Sequence, residues 1–198
     1  MKIVLLIEGK TERAFLPTLR VFLETRLADK MPRLDPAPYD GLLAKGDKLK
    51  RHVELHLKTA DAVIALTDVY TGKSDFVDAR DAKQRLCEWV GRNPRFYAHA
   101  AQYEFEAWLL PFWPTIQRLA GHNMGPPASS PESVNHLRPP STRIKEIFRV
   151  GSRGGDYVKT RDAQRILRDK NLEDAAKKCP ELTAFLNTIL RLCGGTCL

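Results

Sequence analysis

Four acidic residues follow apolar runs in a way that could gather them at one place. Glu8 ends "KIVLLIE", Asp68 ends "DAVIALTD", and Glu104 and Glu106 close "RFYAHAAQYEFE". Each run reads as a strand, and in an open parallel sheet the ligand lies beyond the carboxyl ends of the strands, where the connecting loops converge. Carboxylates from neighbouring strands would repel one another, raising their pKa values and opposing folding unless a divalent cation sat among them. Oxygen ligands at a half-open site suit Mg²⁺ or Mn²⁺ bound jointly with a substrate phosphate. The same side chains could instead cap the helices that follow, but their equivalent positions in the pattern favour the metal reading over independent caps.

Other local patterns carry less chemistry. "GKT" at Gly9-Lys10-Thr11 matches the end of a phosphate-binding loop, but the glycine required five positions earlier is Val4, inside a strand pattern. That absence, and the lack of a second nucleotide motif, argue against a nucleotide-hydrolysing switch. Lys10 stays a candidate phosphate contact, and Thr11 reads as the N-cap of the next helix. His52 and His56 sit four apart on a helical pattern without a third ligand and read as a helix edge, while His99 falls in a strand. The "GSRGGD" loop could bring Arg153 close to a phosphate backbone or serve as a connector. The cysteines Cys87, Cys179, Cys193 and Cys197 are scattered, and "CGGTC" has no nearby histidine or second pair to build a metal site.

The elements that must position these residues alternate. Helical spacing is read over Thr11 to Ala28, Asp47 to Lys58 and Phe76 to Val90. Between them come the strands named above and a short strand near Tyr39 to Ala44, after a loop containing Pro32, Pro36 and Pro38. "RFYAHAAQYEFEAWLL" turns helical by about Glu106. Strands alternating with helices predict an α/β fold with a mostly parallel sheet covered on both faces. A proline-, glycine- and serine-rich stretch from Gly121 to Ser141 then leads to shorter helices at Thr142 to Arg149, Thr160 to Asp169 and Pro180 to Leu192. The expected organisation is an α/β unit over residues 1–120 and a basic helical subdomain over residues 121–198, packed on it.

The chain has 198 residues and a formal net charge of +8, which points to a polyanionic partner, most simply nucleic acid. Between Arg138 and Lys170 ten basic residues face four acidic ones. That run is either a solvated helix surface or a backbone-binding face in which Arg143 and Lys145 contact phosphate. No apolar run approaches the length of a membrane span. Glu8 interrupts the first apolar stretch and no cleavage-site pattern follows, so a cytoplasmic protein is expected.

"IEGKTE" and "LTDVYTG" resemble the glutamate and aspartate motifs of the TOPRIM domain found in topoisomerases, primases, recombination mediators and overcoming-lysogenization nucleases. "IEGKTERAFL", "QYEFEAWLL", "PESVN" and "STRIKEIF" further resemble the TOPRIM-like bacterial family catalogued as domain of unknown function 4276, over nearly the whole chain. The resemblance implies a TOPRIM-like, Rossmann-like four-stranded sheet flanked by helices, with a C-terminal helical extension. It implies a metal-dependent nuclease in which Glu8 is the catalytic proton-transfer residue and Asp68 a metal ligand, with a role in bacterial defence against phage beside a partner ATPase. The chain departs from the wider pattern where Tyr70 replaces the second aspartate of Asp-x-Asp. A phenol is a poor Mg²⁺ ligand at neutral pH. Either Glu104 or Glu106 supplies the missing oxygen, leaving Tyr70 to pack or contact phosphate, or the protein is a non-catalytic module that binds nucleic acid or its ATPase partner without cutting.

Overall fold

A computed structural model describes residues 1–39, 41–70, 76–128, 130–133, 138–152 and 155–198. Four strands, β1 (Lys2–Ile7), β2 (Arg33–Pro38), β3 (Ala62–Asp68) and β4 (Phe96–Ala101), form one sheet in the order β2-β1-β3-β4. All three pairings are parallel. The adjacency that the carboxylate cluster requires is therefore present. β1 lies beside β3 with Ile7 opposite Leu66, and β3 beside β4 with Asp68 opposite Ala101, so Glu8, Asp68 and the segment carrying Glu104 leave the sheet at the same end.

Alternation along the strands explains the unbroken apolar runs. Ile3, Leu5 and Ile7 face one layer with Ile64 and Leu66, while Val4 and Leu6 face the other with Val63 and Ala65. The first layer holds helix α1 (Lys10–Leu27), a 3-10 segment (Phe105–Phe112), and the helices α4 (Trp113–Ala120), α5 (Pro140–Val150), α6 (Lys159–Leu167), α7 (Leu172–Ala176) and α8 (Pro180–Leu192). The second is built from α2 (Gly46–His56) and α3 (Ala79–Val90), through Leu49, Val53, Leu86 and Val90. Strands covered on both faces have no polar side to show. Each fully buried leucine or isoleucine contributes about 1.5–3 kcal/mol.

Three local expectations are corrected. The second strand is Arg33–Pro38, ahead of the expected Tyr39 to Ala44. β2 is an edge strand, and Arg33 and Tyr39 donate their N–H groups to Met1 and Ile7 of β1; alternation then turns the nitrogens of Pro36 and Pro38 to the open edge, where a missing N–H leaves no partner unpaired. Thr11 does not cap α1. Gly9 is the N-cap, without a side-chain cap bond, and Glu12, three residues on, accepts the Gly9 N–H, one half of a capping box. The "FEAWLLPF" segment is 3-10 rather than α-helical, its side chains buried except for Pro111.

The two most distinctive sequence motifs meet in this layer. Trp108 donates its indole N–H to Glu132 Oε1 at 3.0 Å, and both Glu132 oxygens accept the Glu181 N–H at 3.2 and 3.0 Å. Glu132 of "PESVN" thus anchors the first turn of α8 to the tryptophan of "YEFEAWL", a carboxylate placed where the helix dipole favours it. Val134 and Asn135 of that motif lie outside the described residues. Replacing Glu132 with Ala should strand these donors and lower stability by about 2–3 kcal/mol, seen as a fall in Tm, whereas Glu132→Gln, which keeps an acceptor for Trp108, should lose less than half as much.

Candidate functional site

The carboxyl ends of β1 and β3 open into a cleft of ≈ 510 Å³ lined by Glu8, Glu12, Asp68, Glu104, Glu106 and Lys159, with Leu42 and Tyr70 also exposed to it. A larger groove of ≈ 700 Å³, lined by Pro17, Val21, Phe22 and Leu172 among others, contains none of the strand-end carboxylates. All four acids picked out by spacing therefore converge, joined by two residues that spacing did not single out.

Glu8 is 7% exposed. Its carboxylate accepts a hydrogen bond from the Thr67 hydroxyl and longer ones from the N–H groups of Leu43 (3.3 Å) and Asp68 (3.5 Å). Burial nevertheless pushes its pKa up to about 7, with the charge of Glu12 adding to the effect and those three bonds opposing it. Glu12 is as deeply buried and is also raised, burial outweighing the backbone N–H bonds it accepts at the start of α1. Gly9 is the residue that lets Glu12 fold back, since a Cβ there would stand 3.2 Å from Glu12 Oε2. Asp68 keeps part of its surface open, yet is packed so densely that desolvation, followed by the charges of Glu12, Glu8 and Glu106, holds its pKa well above the usual carboxylate range. Its Oδ1 accepts the Phe105 N–H at 2.8 Å.

Glu104 and Glu106 are engaged differently. Glu104 takes the Ser141 N–H at 2.9 Å and the Ser141 hydroxyl at 3.0 Å, which ties it to the first turn of α5. Glu106, fully buried, accepts from Lys159 at 3.3 Å and from the Tyr157 hydroxyl at 3.4 Å. Lys159 forms ion pairs with Glu106 at 3.1 Å and Glu104 at 3.8 Å. Burial works against its charge, but Glu106, Glu104 and Asp68 outweigh it and raise its pKa. Burial drives the Tyr157 phenol upward, so it stays a hydrogen-bond donor.

The other candidate residues are spread out. Tyr70 is 46% exposed and lines the cleft. Arg143 lies on α5, ion-paired to Glu146 at 3.5 Å, and Lys145 is exposed on the same helix. Lys10 opens α1, but its side chain, like Arg153, lies outside the described residues. Glu12, Lys159 and Thr67 were missed. Glu12 carries a signal, its four-residue spacing from Glu8 in "EGKTE"; Lys159 is one of ten basic residues in the run and nothing local marks it out.

The donor set fits one kind of cation. Glu8, Glu12 and Asp68 are hard oxygen donors that make no ion pair among the described residues, while Glu104 and Glu106 already face an ammonium. No group of three or more His, Cys, Asp or Glu side chains among the described residues is arranged to grip an ion as it stands.

A family model described as "Domain of unknown function (DUF4276)" matches residues 7–190. No curated protein gives a sequence match. The chain is similar in structure to the C-terminal region of the Burkholderia pseudomallei OLD protein, at a TM-score of 0.53 and 16% identity, covering 96% of this chain and 98% of that one. It also aligns with the C-terminal region of the Xanthomonas campestris pv. campestris OLD protein, at a TM-score of 0.47 and 15% identity, over 97% and 95% of the two chains. The first likeness is one of fold, a parallel α/β sheet flanked by helices.

The buried acids make a stability prediction. A Glu8 pKa that is about 7 folded and 4.5 unfolded means that the unfolded chain releases its proton first, so the native state loses stability as pH rises from 4.5 to 7. Glu8→Gln should stabilise the metal-free protein at pH 8 by on the order of 2–3 kcal/mol and lessen the fall of its denaturation midpoint across that interval, the raised Glu12 and Asp68 keeping part of it. An unchanged pH profile would show that Glu8 titrates normally.

Proposed function

The chain belongs to the DUF4276 family, and we propose that it is a TOPRIM-type, metal-dependent phosphodiesterase acting on nucleic acid. The observation that carries this reading is the group of Glu8 and Glu12, both buried, and the partly open Asp68, gathered at the ends of the paired strands β1 and β3 beside a lysine in an open cleft. The OLD likeness agrees with it at the level of fold.

In this reading Asp68 and Glu12 hold Mg²⁺ or Mn²⁺, with Glu104 and Glu106 behind them as partners of Lys159. The bound ion would neutralise the scissile phosphate and lower the pKa of a coordinated water. Glu8, with a pKa near the operating pH, takes or returns a proton at its Oε2, while the Thr67 hydroxyl fixes Oε1. Lys159 brings a fixed positive charge to the wall where negative charge grows on the phosphoryl oxygens. Ser141, by holding Glu104, positions that wall and does not itself meet the substrate.

A second reading, a non-catalytic binding module, draws on Tyr70 at the position of the second aspartate and on the absence of a ready three-ligand group among the described residues. Metal titration by calorimetry separates the two. The phosphodiesterase binds Mg²⁺ or Mn²⁺, and Asp68→Asn weakens that binding; the module binds nucleic acid and leaves millimolar metal unbound. For the enzyme, Glu8→Gln should slow metal-dependent cleavage by about 10²–10⁴-fold while leaving nucleic-acid affinity nearly intact. Full cleavage by Glu8→Gln would sink the assignment.

A further inference from the structure

Five of the ten basic residues between Arg138 and Lys170 are ion-paired within the fold. Arg138 and Arg143 pair with Glu146 at 3.2 and 3.5 Å, Arg161 and Arg165 with Asp162 at 2.8 and 3.0 Å, and Lys159 with Glu106 and Glu104. These side chains are less available to an outside phosphate than the composition implies.

Helix α2 carries another set of unpaired cations. Its stripe of Leu49 and Val53, continued by Leu57, is buried against the sheet; helical spacing turns Lys48, Arg51 and Leu55 outward, and Lys58 follows two residues past the end of the helix. All four are exposed, Leu55 at 60%. Among the described residues, Lys48, Lys50, Arg51 and Lys58 make no ion pair or side-chain hydrogen bond. The helix's acids, Asp47 and Glu54, are exposed and stand one turn before Arg51 and Lys58. The row also has a direction. α2 begins at Gly46, three residues after Leu43 donates its N–H to Glu8, and Gly41 and Leu42 line the cleft itself. From Lys48 to His56 the helix rises about 12 Å, room for roughly three phosphates of one strand at about 3.4 Å each.

We propose that the outward face of α2 is the track that holds the phosphodiester backbone of a nucleic-acid strand as it reaches the cleft. This rests on the phosphodiesterase reading of the cleft and moves the main backbone contact from the C-terminal helices to α2. Cations on flexible stems hold phosphate without reading bases, and Leu55 between them gives the strand an apolar sugar contact. Because the three cations point away from the core, their removal leaves the packing of α2 intact.

The test compares Lys48→Ala/Arg51→Ala/Lys58→Ala with a control carrying Arg149→Ala/Arg168→Ala/Lys170→Ala. Binding of a fluorescein-labelled oligonucleotide of mixed sequence is followed as a function of KCl concentration, and hydrolysis of bis(p-nitrophenyl) phosphate by the unsubstituted chain with Mn²⁺ is measured separately. The α2 substitutions should reduce the slope of log Kd against log salt by about 2–3, each lost phosphate contact being worth about 0.7–0.9, and weaken binding by the same factor for unrelated sequences. The control should change the slope by less than 1. An unchanged slope for the α2 variant, or the larger loss in the control, overturns the track. An unsubstituted chain that does not bind the oligonucleotide also overturns it, and hydrolysis of the small diester then shows independently whether the cleft reading stands.

Discussion

Parallel pairing of β1 with β3 forces Glu8 and Asp68 together, and much of the structure answers that constraint. The register sets Ile7 opposite Leu66, so the residues that follow leave the sheet side by side, and α1 brings Glu12 back into the same space. Three carboxylates taken out of water in this way oppose one another and their own ionisation. The fold supplies dipoles in reply: the Thr67 hydroxyl, the N–H groups of Leu43, Asp68 and Phe105, and the first turn of α1. They are not enough, for Glu8 still stands at about 7 and Asp68 well above its usual range. A cluster that its own dipoles leave uncompensated is one that an added cation would stabilise.

The C-terminal helices build the other wall. Ser141 on α5 takes Glu104, and Lys159 at the start of α6 takes Glu106. One apolar cluster runs from Ile3 through Trp108 to Leu190, so these helices share the core of the sheet they cover. The bond from Trp108 to Glu132 sets α8 against the same segment that presents Glu104 and Glu106. Half of the cleft thus depends on residues far downstream of the strands that open it.

The parallel α/β architecture was legible because strands buried on both faces show as unbroken apolar runs and helices show as stripes. Glu8, Asp68, Glu104 and Glu106 were legible because a parallel sheet converts the end of each strand into one location. β2 was misplaced because its prolines read as loop, and only its edge position makes them harmless. Glu12 was hidden behind an ordinary helix-terminal role, and Lys159 and Ser141 could not be paired with Glu106 and Glu104 from spacing, since nothing local encodes a contact between residues more than thirty positions apart. The basic run between Arg138 and Lys170 shows a related limit: composition counts charges but not contacts, and four of its arginines share Glu146 and Asp162.

Capping accounts for part of what these acids do. Each does have a structural partner, Asp68 at Phe105, Glu104 at Ser141 and Glu12 at Gly9. An exposed carboxylate that accepts N–H bonds is stabilised in its charged form and its pKa falls, whereas burial reverses the sign even at a structural anchor such as Glu132. Asp81 is lowered in this way, first by the Val77 N–H and then by Arg85. Asp68, Glu8 and Glu12 move the opposite way although they too accept N–H bonds. Capping explains where their oxygens point. It does not account for their gathering in one open cleft, which a shared cation would stabilise.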